Sequence, residues 1–443
     1  MRNWLPVTAI LSLASILNAE NWPNWRGPNY DGSADSHSLP SKFGKSENVK
    51  WAAKLPGPSA ATPIIWENQV FLSSVGADDG SLLAMALDRK TGQVLWQEKA
   101  GSGYQAGGDG ESWRLDGRSN YSAPSPVTDG KRVIFFYGNG DLVAYTLEGK
   151  RLWGRNIQKD YGDFTFQWTF SSSPTLYSGN LYLQILQRDE KVHGRGKDNA
   201  ESFLLNINPD NGKTVWKHTR PSNANKESLE SFATPIPYEG AGRKELVIVG
   251  GDVLTGHDPE TGKELWRWGT WNEGHREQWW RLVPSPVIGD GVILACAPKK
   301  APVFATKAGL KGTHSGDKGQ LWNSGRNSVL TSDVPTPLYY MGHFYILSDL
   351  RKALSKVDPK SGKILWTTQM PGRYKWRASP TGGDGKIYTM NHNGEVIVLD
   401  AKEGKILHQA KLGADYDDNI RASIAIAGDQ LFIRTNSELF CIK

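Results

Sequence analysis

Arg118, Trp168, Glu230, Trp280, Arg281, Trp376, Arg377 and Arg421 are the residues whose types and placement point to chemistry. Each lies a few residues upstream of a recurring step of small residues and proline, so a fold that repeats the step around a ring gathers them at one mouth. Arginine offers planar N–H forks for carboxylates, and tryptophan a flat stacking face. Such a mouth suits an acidic or planar ligand, either a uronate-containing glycan or a peptide segment. The competing reading is that these side chains pack between neighbouring repeats and cap exposed carbonyls.

No catalytic constellation accompanies them. The nine His residues are scattered without an HExxH pattern or a fixed metal-ligand spacing. Cys296 and Cys441 stand 145 positions apart, with no CxxC motif, which argues against structural zinc or c-type haem and leaves a Cys296–Cys441 bridge open. The glycines at 101–110 lack the strand-to-helix setting of a phosphate loop. A lyase-like trio of His275, Tyr121 and Arg281 is conceivable, but no spacing selects it. The polar insertion Gly101–Gly117, carrying Asp109, Glu111, Trp113 and Arg114, is long enough to fold over the mouth. A net charge of +6 is spread along the chain. The densest basic stretch, Lys299–Lys318, is interrupted by Gly and Pro and reads as a solvated loop, so nucleic acid is not expected as a partner.

The elements that position the mouth come from a repeat. The step recurs at Ala61-Thr62-Pro63, Pro124-Ser125-Pro126, Ser172-Ser173-Pro174, Ala233-Thr234-Pro235, Pro284-Ser285-Pro286, Pro335-Thr336-Pro337 and Ala378-Ser379-Pro380, with a degenerate copy at Ala422-Ser423-Ile424. The copies are 43 to 63 residues apart. Each is followed by a short apolar run, a turn rich in Gly or Asp-Gly, and a β-branched or aromatic run, which is the pattern of paired strands. Each unit then closes on a Gly-x-x-(Leu/Val)-Trp ending, at Trp96, Trp153, Trp216, Trp266, Trp322 and Trp366, with His408 in the seventh. Four short strands per unit at this period predict an all-β, eight-bladed β-propeller of four-stranded antiparallel blades.

The eighth unit supplies three strands and no closing Trp. The missing strand is available at 48–55, where Trp51 completes the set, so N- and C-terminal strands are expected to pair and remove a sheet edge. The seven Trp at this position are expected to hold blades together. The chain divides into residues 1–19, a short basic start and apolar run read as a cleaved signal peptide, an N-terminal extension at 20–47, and the propeller at 48–443. The apolar run is too short to span a bilayer, and no Cys follows it to carry a lipid, so the mature chain is expected in the periplasm or outside the cell.

These motifs resemble the PQQ-type propeller repeat, with Asp88 to Gly92, Asp258 to Lys263 and Asp358 to Lys363 matching its Asp-x-x-Thr-Gly-Lys turn. The resemblance implies two branches. Quinoprotein dehydrogenases carry PQQ with calcium over the propeller face, whereas the propeller subunit of the outer-membrane β-barrel assembly machine is a cofactor-free scaffold. The start, Asn21 to Asn29, looks like the Trp-Arg-Gly-Pro opening of a group of exported PQQ-repeat proteins. A calcium ligand set does not map onto matched positions, so no cofactor is expected. A binding or scaffold propeller with a protein, acidic peptide or glycan partner is the leading reading, and a PQQ dehydrogenase or polysaccharide-active enzyme the alternative.

Overall fold

The computed structural model describes residues 21–103, 120–240, 242–269 and 271–443. Among these residues eight sheets form, each a blade of four antiparallel strands and one of them extended by a fifth strand, in the order the repeat demands. Every innermost strand begins immediately after a small-residue step, as at Ile64–Trp66 after Pro63 and Thr381–Gly383 after Pro380. The proline falls at the first position of an edge strand that faces the channel, where its missing N–H breaks no ladder. The eighth blade joins Ala425–Ala427, Gln430–Arg434 and Glu438–Ile442 to the N-terminal strand Val49–Lys54, with Trp51 opposite Cys441. The ring is closed as the sequence predicts.

The step also joins neighbouring blades. At seven of the eight junctions the backbone N–H of the Ser or Thr in the step donates to the hydroxyl of its counterpart one blade on: Thr62 to Ser125 (2.9 Å), Ser125 to Ser173 (3.0 Å), Ser173 to Thr234 (3.1 Å), Thr234 to Ser285 (2.8 Å), Ser285 to Thr336 (2.9 Å), Thr336 to Ser379 (3.0 Å) and Ser423 to Thr62 (3.2 Å). A ring of hydroxyls thus laces the inner edges, which as edge strands would otherwise leave N–H groups unpaired.

The outer edges are held by tryptophan. Asp88 Oδ1 accepts from the N–H groups of Lys90 and Thr91, folding a turn that ends on Gly92 at φ +73°. A Cβ on Gly92 would lie 2.5 Å from the Trp51 ring, so only glycine lets that ring lie flat on the turn. The Trp51 indole N–H then donates to Arg89 O in the same turn (2.9 Å). The same contact recurs from Trp96 to Leu147 O, Trp153 to Pro209 O, Trp216 to Pro259 O, Trp322 to Pro359 O and Trp366 to Lys402 O.

Two junctions depart from the pattern. Trp266 does not dock the next blade: its N–H donates to Glu245 within its own blade, and Trp268 takes over by donating to Gly316 O (3.1 Å). The cause is an extra strand, Gly312–His314, which pairs in parallel with Glu264–Gly269 and makes this sheet five-stranded. That strand and Val303–Lys307 lie inside the stretch 299–318, which is therefore not the simple loop its composition suggests. At the seventh junction the following blade has no continuous turn, because its outer strand comes from the N-terminus. Its place is taken by Phe43, whose N–H donates to His408 Nε2 (3.1 Å). Cys296 and Cys441 are free, buried and in different blades, so they are not bridged.

Trp322→Ala removes a buried ring and its bond to Pro359, and is expected to destabilise the fold by about 3–5 kcal/mol. Denaturant unfolding at the wild-type midpoint would show this loss, and an unchanged midpoint would overturn the docking role.

Candidate functional site

Residues two positions before the hydroxyl of each step alternate onto the same face of the chain and point into the channel. They are Ala60, Ala123, Ser171, Phe232, Val283, Val334, Arg377 and Arg421, one from each blade, and all eight line a central cavity of about 150 Å³. Below them the cavity is walled by the ring hydroxyls of Ser125, Ser173, Thr234, Thr336, Ser379 and Ser423. Above them lies a mouth cavity of about 130 Å³ lined by Trp168, Thr169, Ser171, Phe232, Arg281, Val283, Val334, Arg377 and Arg421. No carboxylate lines either space among the described residues.

The channel has a floor, and the N-terminal extension makes it. Trp22 exchanges two backbone bonds with Ile65, and Pro23 O accepts from Thr128 N–H. Trp25 lines the bottom of the central cavity. Arg26, 1 % exposed, donates through Nη2 to Asp31 O, Pro337 O and Pro380 O, tying the extension to two inner strands on the far side. Burial lowers its pKa to about 10, with Asp31 acting in the opposite sense, so it stays charged at neutral pH. Gly27 and Gly32 adopt positive φ, and a Cβ there would strike Trp22 and Arg26, so both positions require glycine. The Trp-Arg-Gly-Pro opening is thus a plug, a role that its position ahead of the repeats concealed.

The mouth arginines are fixed by carboxylates behind them. Arg281 holds Asp333 through two parallel bonds (3.0 and 3.1 Å), and Arg377 Nε donates to Asp349 (2.9 Å). Burial works to raise Asp333, but the Arg281 bonds and charge outweigh it and keep its carboxyl below the usual range. Asp349 shifts the other way, because burial and then the nearby Asp333 outweigh Arg377. Bidentate pairing fixes the Arg281 fork at the cavity wall and uses two of its five N–H groups.

Of the residues expected at the mouth, Trp168, Arg281, Arg377 and Arg421 do meet there. Trp376 does not: it is fully buried, donates to Pro371 O and packs in the core between blades. Trp280 lines a separate groove with Lys299, Lys300 and Arg326. Both tryptophans immediately precede an arginine that does face the channel, so strand-like alternation turns them away. Glu230 is buried beneath the mouth, accepting from Arg188 and from Gln167 N–H. Arg118 and most of the Gly101–Gly117 insertion lie outside the described residues. His275 pairs through Nδ1 with Asp252 (3.0 Å), while Tyr121 lines a small side cavity with Arg195, so the lyase-like trio is not assembled. Among the described residues no group of three or more His, Cys, Asp or Glu side chains is placed to hold a metal ion, and no helix is long and apolar enough to cross a membrane.

Burial raises the Glu230 carboxyl to about 7, against the opposing pull of Arg188, and its second oxygen has no hydrogen-bond partner. The folded protein therefore holds this proton more tightly than the unfolded chain, and Glu230's contribution to stability is lost as pH rises from 4.5 towards 7. His257, lowered by burial to about 3, slopes the other way up to its ordinary 6.5. Glu230→Gln is expected to flatten the fall in melting temperature as pH rises through this range. Parallel wild-type and variant curves would contradict the assignment.

Comparison with known proteins agrees with this architecture. Tetrathionate hydrolase of Acidithiobacillus ferrooxidans is 20% identical over 394 residues, spanning 84% of this chain and 69% of that one. BamB from Moraxella catarrhalis superposes with a TM-score of 0.60 at 13% identity, covering 89% of this chain and 99% of that one. A europium-containing methanol dehydrogenase does so with a TM-score of 0.68 at 11% identity, covering 95% and 90%. At such identities the likeness is one of fold. Matched over residues 44–187, 163–349 and 350–442, the chain belongs to the PQQ-like repeat family described as outer membrane protein assembly factor BamB.

Proposed function

We propose that this chain is a non-enzymatic, exported binding propeller that takes an acidic segment of a protein partner at the channel mouth. The observation that carries this reading is the convergence of Arg281, Arg377, Arg421 and Trp168 on one cavity that no carboxylate lines among the described residues. Guanidinium forks bind carboxylates with direction as well as charge, and the indole face adds stacking area. Phe232, Val283 and Val334, which line the same mouth between these groups, offer no side-chain hydrogen bonds and suit apolar side chains better than the hydroxyls of a sugar. A partner-binding role accords with membership of a family described as an assembly factor.

The alternative is a PQQ enzyme, as the methanol dehydrogenase fold-neighbour suggests. The arginines suit a polyanionic quinone, but the described residues do not suit a quinone held with a metal. Among the described residues Asp333 is engaged by Arg281, Asp349 by Arg377 and Glu227 by the Trp168 indole N–H, and no group of three or more His, Cys, Asp or Glu side chains is placed to hold a metal ion. No step through such a group is derived.

A synthetic acidic peptide rich in Asp and Glu, titrated by intrinsic tryptophan fluorescence, tests the proposal. Trp168→Ala and Arg281→Gln are each expected to weaken binding by about tenfold or more, since a hydrogen bond to a charged group contributes about 1.5–3 kcal/mol. Binding should also weaken with added salt. Two silent variants, preferential binding of an oligouronate, or alcohol turnover with added PQQ and calcium would each overturn it.

A further inference from the structure

The hydroxyl ring has unused capacity. Ser125, Ser173, Thr234, Thr336 and Ser379 each accept one backbone N–H from the preceding blade, which consumes one lone pair and leaves the O–H proton free to donate. None of these hydroxyls donates to another described residue, and Ser423 Oγ makes no bond to one. All six are at least nine-tenths buried and line the channel. Six donors therefore face one space of about 150 Å³, the volume of roughly five water molecules.

Charge decides what such a ring prefers. Hydroxyl oxygens also coordinate cations, but Arg377 and Arg421 stand one layer above and Arg26 lies beneath the Trp25 floor. Among the described residues no carboxylate lines the cavity, Asp349 lying behind Arg377 and outside the lining, so the groups that face the space favour an anion. The floor adds a geometric constraint, because a chain cannot thread a channel that is closed at one end. Whatever enters the hydroxyl layer does so as a tip.

We propose that the channel is an end-on oxoanion site. A carboxylate or sulfo-type head at the tip of a slim ligand sits within the hydroxyl ring, its charge met by Arg377 and Arg421 and its oxygens by the ring O–H donors. This deepens the reading of the mouth as a ligand site and rests on it. The mouth grips the body of the ligand, and the channel reads its end.

The shared chemistry has two sources, a free small oxoanion and the carboxylate end of a peptide chain, and the experiment separates them. Crystals soaked in selenate report a small oxoanion by an anomalous peak inside the hydroxyl ring. In solution, an acidic peptide with a free C-terminal carboxylate is titrated against the same peptide ending in an amide. A selenate peak alone assigns the small oxoanion, and a tenfold or greater preference for the free carboxylate assigns the chain end. Ser423→Ala is the diagnostic variant, because its backbone bond to Thr62 is retained while a channel hydroxyl is lost. It is expected to weaken the responding ligand severalfold with an unchanged melting temperature, and Arg421→Gln more strongly. Absence of selenate from the channel together with equal affinity for acid and amide overturns the proposal. If peptide binding still depends on Trp168 and Arg281 in that case, the mouth reading stands without it.

Discussion

The constraint on which this propeller depends is the satisfaction of its inner edge. An innermost strand exposes backbone N–H groups toward the axis, and eight such edges meet there. At seven of the eight junctions the Ser or Thr of the step resolves this by offering a hydroxyl to the N–H of the blade before it, so one residue type at one position serves blade contact and ring closure together. The following proline removes a donor that would have no partner. Closure at Thr62 and Ser423 obeys the same rule even though the eighth step has lost its proline, because the hydroxyl and the N–H carry the contact. The N-terminal strand then completes the outer edge of the same blade.

The outer rim solves a different problem by a different route. Each tryptophan covers a glycine turn and donates to a carbonyl in it, so blade docking combines apolar burial with one oriented bond. Where an inserted strand separates two blades, Trp268 replaces Trp266, and the freed Trp266 N–H satisfies the buried Glu245 carboxylate. Where no turn exists to be covered, the aromatic is a histidine bonded to the extension. The repeat therefore bends its residue types to whatever backbone lies opposite.

Fold was legible in the sequence because it is written eight times: spacing, turn glycines and closing tryptophans each recur, and the strand shared between the termini follows from what the last unit lacks. The site was only partly legible, because its chemistry occurs once per blade and differs in each. Trp376 and Trp280 are adjacent in sequence to arginines that face the channel, yet strand alternation sends neighbouring side chains to opposite faces. The plug lies outside any repeat, and its anchoring Arg26 bonds to Pro337 and Pro380, more than three hundred positions away. Trp268 likewise follows from an insertion whose strand, Gly312–His314, is too short to show a period.

The channel chemistry is carried by one position of the repeat, compared from blade to blade. The column two residues before the hydroxyl holds two small alanines, a serine, three apolar residues and then Arg377 and Arg421 in adjacent blades. A propeller that needed only to close could fill this layer with small or apolar side chains throughout, since the hydroxyls below already satisfy the edge. Two neighbouring guanidinium groups on one arc of the ring make the channel electrostatically lopsided at a cost in desolvation, with a buried arginine under the floor adding to the same sign. Such an arrangement, with Arg377 tied back to Asp349, sets the proposed anion site in the channel rather than at the rim.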